Sequence, residues 1–110
     1  MEQTIFVNTF GNYPKIRILD MLITGRELDY SISDIAEQAE IGRATFYRLM
    51  DQLIKSKTIV ISRRIGHINL YRLNLDNPLV EEIVKAYDCL IKAASDKEID
   101  RQGVKIKVRV

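Results

Sequence analysis

Apolar residues recur at three- and four-residue spacing through much of this chain, and the breaks in that rhythm mark where its architecture changes. In "GNYPKIRILDMLITG" the positions Ile16, Leu19, Leu22 and Ile23 share one side of a helix. Pro14 falls in the first turn, where its missing N–H costs nothing, and Gly25 is placed to stop the helix. "SISDIAEQAEIG" predicts a short second helix. Ser33 is its expected N-cap, Asp34 and Glu37 suit the positive end of its dipole, and Ile35, Ala36 and Ala39 give it a narrow apolar side. "AEIG" reads as a turn. A third helix over residues 43–56 carries Phe46, Leu49, Met50, Leu53 and Ile54 as its apolar stripe.

The period then changes from helical to alternating. Ile59 and Ile61, and later Tyr71, Leu73 and Leu75, alternate with other residues on either side of "RIGH", whose Gly66 suits a tight hairpin turn. Asn77 and Pro78 open a fourth helix over residues 77–96, with a wide stripe of Leu79, Val80, Ile83, Val84, Tyr87, Leu90, Ile91 and Ala94. The predicted order is helix, helix, turn, helix, hairpin, helix. Two end segments are strand-like. "GVKIKVRV" sets Val104, Ile106, Val108 and Val110 against Lys105, Lys107 and Arg109, while "QTIFVNTF" has strand-like composition. The two ends either form or extend a sheet, within a chain or between chains, or the basic end is a frayed tail.

Length makes this a single-domain chain of 110 residues, divided into a core over 10–75, the helix over 77–96 and a basic strand or tail over 103–110. No apolar run approaches the roughly 18 residues a membrane span needs, and Met1, Glu2 and Gln3 form no basic signal region. One cysteine, Cys89, excludes an internal disulfide and a cysteine metal cluster, which suits a reducing cytoplasm. The overall charge of +2 conceals a strong division along the chain. Residues 41–75 carry seven basic side chains against Asp51 alone, a net +6, while residues 1–40 and 76–100 are each −4. A contiguous basic third of this kind is either a surface for a polyanion or a solvated charged face.

The run from "FGNYPKIRILDMLI" through "YSISDIAEQAEIGRATFYRLMDQLIKSKTI" to "VISRRIGHINLYRLN" resembles the prokaryotic winged helix-turn-helix regulators of the broad MarR/ArsR-like type. The resemblance covers residues 10–75 and rests on the second helix, the "EIG" turn, a third helix with "AT-F-YR-L", and a Gly-centred basic hairpin. It implies a mainly α fold with a small β-hairpin wing, in which the fourth helix stands where such regulators dimerise. Gly42 departs from the pattern, since the family usually has Ser or Thr capping the third helix.

The residues fit that implication on physical grounds. A duplex major groove admits an α-helix whose N-terminal residues meet the base edges. With Phe46, Met50 and Leu53 facing inward, Arg43, Ala44, Thr45, Tyr47, Arg48 and Asp51 lie on or near the outer side. Arg43 can bind a guanine edge bidentately, Ala44 or Thr45 can touch a thymine methyl, and Tyr47, Arg48 and Lys55 can hold phosphates. Arg48 could instead pair with Asp51 or Gln52, and Tyr47 could pack its ring on the domain. Ser33 could bind a phosphate at its helix N-terminus or serve only as a cap. Arg63, Arg64 and His67 surround a hairpin tip suited to phosphates and the minor groove, or to solubilising the sheet.

Along the fourth helix, Val80, Val84, Tyr87, Ile91 and Ala94 have the spacing of a helix that pairs with another, so a homodimer is expected; closing the chain's own core is the alternative. The expected function is sequence-specific binding of double-stranded DNA by a transcriptional regulator, repressor rather than activator, in the cytoplasm. A winged-helix protein–protein module and a plasmid or virus DNA-organising protein are the competing readings. No Gly-rich phosphate loop, nucleophile–base pair or metal-ligand spacing is present, so no catalytic residue, metal or cofactor is expected, and no polar cluster specifies a small-molecule effector.

Overall fold

The computed structural model describes residues 4–101. In chain order the elements are α1 (Ile5–Phe10), α2 (Pro14–Thr24), α3 (Ile32–Ala39), α4 (Arg43–Lys55), β1 (Ile59–Ile65), β2 (Ile68–Leu73) and α5 (Pro78–Arg101). α3, a short turn and α4 form a helix-turn-helix, and the antiparallel β1–β2 hairpin follows as the wing. The fold is a mainly α winged helix with a long C-terminal helix, as the resemblance implies, with one helix, α1, more than the hydrophobic pattern predicts.

α1 replaces an expected strand. Thr4 caps it by accepting a hydrogen bond from the Val7 N–H at 3.2 Å, and Gly11 ends it at φ 104°. Helical spacing brings Phe6 and Val7 together onto the core, where the Phe6 ring lies 5.0 Å from Phe10 and 5.4 Å from Tyr87. Despite the strand-forming composition of "QTIFVNTF", α1 joins no sheet among the described residues. Packing against α5 decides its conformation instead. "GVKIKVRV" lies outside the described residues.

α2 begins at Pro14 and stops at Gly25 as expected, burying Ile18, Leu19, Leu22 and Ile23. α3 starts earlier than expected: Ser31, not Ser33, is the N-cap. The Ser31 hydroxyl accepts from the Asp34 N–H, and the Asp34 carboxylate accepts from the Ser31 N–H, both at 3.1 Å. This reciprocal pair satisfies two N–H groups left free at a helix start, which Ser33 has no matching acid to do. α4 buries Phe46, Leu49, Met50 and Leu53, but Ile54, expected in the same stripe, is exposed.

The hairpin pairs Ile59 with Leu73 and Ile65 with Ile68 around Gly66–His67, with Gly66 at φ 62° supplying the positive torsion of a two-residue turn. A bulge at Ser62 interrupts the register between Ile61 and Arg63. Tyr30 adds one rung outside β2, its N–H and carbonyl meeting those of Tyr71 at 2.8 and 2.7 Å. These contacts tie the wing to the segment entering α3.

One core joins all these elements, from Phe6 through Ile18, Ile23, Ile35, Phe46 and Leu53 to Ile59, Tyr71 and Leu73. α5 closes it with Val80 and Tyr87, so these two are not free to pair with another helix. The broad stripe on α5 serves two purposes: Val80 and Tyr87 face inward, while Leu79, Ile91 and Ala94 are exposed and Val84 is half-buried. Arg26 reinforces the α2–α5 join. It grips Asp88 through two nitrogens at 3.0 and 2.7 Å and lies 5.9 Å over the Tyr87 ring.

Candidate nucleic-acid interface

α4 reaches the surface at its N-terminus, where no side chain among the described residues caps it. Gly42 occupies the N-cap and makes no side-chain cap, while the Phe46 N–H takes the Gly42 carbonyl at 2.9 Å. The first-turn N–H groups therefore point outward at the positive end of the helix dipole, a setting that favours a phosphate. Arg43, Ala44, Tyr47 and Arg48 are exposed there and Thr45 is half-buried. Phe46 anchors the face from beneath; the Tyr47 ring meets it edge-on at 5.6 Å and remains 52% exposed. Arg43 and Arg48 enter none of the ion pairs among the described residues. Asp51 pairs instead with Lys55 at 2.9 Å, an exposed i,i+4 contact that phosphate can displace at little cost.

Ser33, although not a cap, lies on the surface of α3 facing this end of α4. A shallow cleft of about 320 Å³ brings it together with Arg43 and Tyr47, over a floor that includes Ala36, Ile41 and Phe46. Three residues chosen from two different helices thus converge on one surface. Lys55 does not join them, standing about 18 Å along the α4 axis from Arg43.

The wing divides its basic residues. His67 is exposed at the turn, and Arg64 folds back so that its Nε donates to the Gly66 carbonyl at 3.1 Å. Arg63 is not at the tip. The Ser62 bulge turns it from the face of Ile61 to that of Val60, Leu70 and Arg72. Its Nε donates to Asp29 at 2.9 Å, where the Ser62 hydroxyl also donates at 2.9 Å. The Arg63 guanidinium, assisted by Ser62, holds the Asp29 carboxyl below the usual carboxylate range. Strict alternation concealed both the bulge and the Asp29 partner. Arg72, which the hairpin register puts on the same face as Arg63, is a further exposed cation that the sequence reading did not single out.

Among the described residues no group of three or more His, Cys, Asp or Glu side chains could hold a metal ion, and no helix is long and apolar enough to cross a membrane.

The chain matches no protein-family model and no curated protein sequence. Its fold is similar to solved structures. Rv0081 of M. tuberculosis shares 22% identity over 84% of this chain and 88% of that chain, with a TM-score of 0.55. Sso10a-2, a DNA-binding protein from Sulfolobus solfataricus, shares 16% identity over 83% of this chain and 96% of that one, with a TM-score of 0.48. The first likeness is one of overall fold.

Proposed function

We propose that the chain binds double-stranded DNA and regulates transcription as a homodimer, in the manner of the MarR/ArsR-like regulators it resembles. The observation that carries this reading is the N-terminal face of α4: an uncapped helix start with Arg43, Tyr47 and Arg48 exposed and Ser33 beside them. Laid in a major groove, Arg43 meets a guanine edge and Ala44 or Thr45 a thymine methyl, while Ser33, Tyr47, Arg48 and Lys55 hold phosphates on either side. Arg64, His67 and Arg72 bring the wing to the neighbouring backbone, and Arg63 joins them by exchanging Asp29 for a phosphate. A second copy docks on the α5 surface left free by the core, through Val84, Ile91 and Ala94, and matches a two-fold symmetric site. Occlusion of a promoter, hence repression, needs no further module.

Binding to duplex DNA across a salt series is the test. Affinity should fall linearly on logarithmic axes, with a slope of about −0.9 for each phosphate neutralised. Arg43→Ala should narrow the gap between a selected fragment and random duplex, whereas Lys55→Ala should weaken both alike. A response flat in salt, or no complex with genomic fragments at low salt, would sink the proposal.

A further inference from the structure

Between α1, α2 and α3 the chain leaves an open groove of about 1050 Å³. Its lining includes the apolar residues Val7, Met21 and Leu28, and Leu28 is 59% exposed although large and aliphatic. Asp20, Asp34, Glu37 and Glu40 stand around it. Arg17, the one cation lining it among the described residues, is turned to the chain itself, donating to Asn12 and to the Ala39 and Glu40 carbonyls. Burial holds the Asp20 carboxyl above its usual range, with only the Thr4 hydroxyl to offset it, so a cation nearby would relieve a real penalty. Duplex DNA would be repelled here.

The pattern that fits such a groove is an extended segment, apolar on one side and basic on the other. "GVKIKVRV" has that pattern, with Val104, Ile106, Val108 and Val110 opposite Lys105, Lys107 and Arg109. We propose that the groove between α1, α2 and α3 receives residues 103–110 of a second copy of this chain. The apolar side chains cover Met21 and Leu28 while the basic ones meet Asp20, Asp34, Glu37 and Glu40.

Reach decides between the same copy and another. Tyr87 marks where α5 passes the groove, since its hydroxyl meets Thr24, a lining residue, at 2.7 Å. From there α5 runs on to Arg101, about 21 Å further at 1.5 Å per residue. The following nine residues span about 30 Å when fully extended, so returning to the groove in the same copy consumes most of that length. Lys105, four residues and about 13 Å of extended chain past Arg101, would be left short of the carboxylates. A second copy carries no such restriction and brings the whole segment.

Zero-length carbodiimide coupling of the full chain tests this, using an equal mixture of unlabelled and nitrogen-15-labelled protein. Lys105 or Lys107 should be found coupled to Asp34, Glu37 or Glu40 in peptide pairs of mixed label, and Glu37→Lys should lose coupling at that site and reduce it at the others. Lys105→Glu with Lys107→Glu should lower the average mass by light scattering, and combining them with Glu37→Lys should recover part of it. Coupling confined to pairs of one label would overturn the assignment to a second copy. Its absence at all three carboxylates, in protein with an unchanged circular dichroism spectrum, would overturn the groove as the receptor. Neither outcome bears on DNA binding, which the salt series on the unmodified chain reads separately.

Discussion

Tyr87 is the residue at which the two readings of α5 predict different physics. If it served a dimer seam, truncating it would weaken association and leave the folded chain intact. In the structure it is 8% exposed, its ring lies 5.4 Å from Phe6 and 5.9 Å from the Arg26 guanidinium, and its hydroxyl meets the Thr24 Oγ1 at 2.7 Å. Thr24 already donates its only hydroxyl proton to the Asp20 carbonyl at 2.8 Å, so Tyr87 must be the donor of the pair. Tyr87→Phe removes that one donor and leaves Thr24 satisfied, which costs about 1 kcal/mol. Tyr87→Ala also removes the ring between α1, α2 and α5, a loss of about 3–5 kcal/mol. Against the roughly 5–15 kcal/mol total of a small domain, the second change threatens folding and the first does not. Urea denaturation followed by far-ultraviolet circular dichroism reads both, at two protein concentrations well separated. The expected result is a graded loss with the same midpoint shift at either concentration. A Tyr87→Ala loss below about 1 kcal/mol, or one abolished by raising the protein concentration, would refute the placement of Tyr87 in the chain's own core.

Three further outcomes follow from named contacts. Ser31→Ala should lower stability by about 1 kcal/mol through loss of the capping box, while Ser33→Ala should leave the denaturation midpoint unchanged. Asp20→Asn should raise the thermal midpoint at neutral pH: the raised carboxyl favours folding when protonated and disfavours it as pH rises through its folded value, and the amide oxygen still accepts from Thr4. Asp88 behaves in the opposite sense, because the Arg26 hydrogen bonds hold its carboxyl down. Its stabilising effect is complete above the unfolded value of about 3.9 and disappears as pH falls through the lower folded one. The midpoints of the native chain and Asp88→Asn should therefore differ at neutral pH and converge in acid; curves parallel throughout would contradict the ion pair.

The sequence by itself determined the helices that bury a stripe, because three- and four-residue spacing, Pro14 at a helix start and Gly25 at a helix end act over one or two turns. Gly66 did the same for the hairpin. The candidate interface was legible in part: fixing Phe46 and Met50 inward leaves Arg48 outward on any α-helix, whereas Arg43, three residues before Phe46, shares their side and is exposed because it begins α4. Only the tertiary structure decided the features that depend on partners distant in sequence. α1 is a helix because Phe6 finds Tyr87. Ser31, by contrast, is the cap for a local reason, since Asp34 stands at the reciprocal position only three residues on, a pairing already present in the sequence. Arg63 leaves the wing tip because a single-residue bulge reverses its face toward Asp29, and alternation cannot record an extra residue. The wide stripe of α5 divides for the same reason: periodicity states which side chains share a face, but how far round the helix the core extends is settled by the elements packed against it.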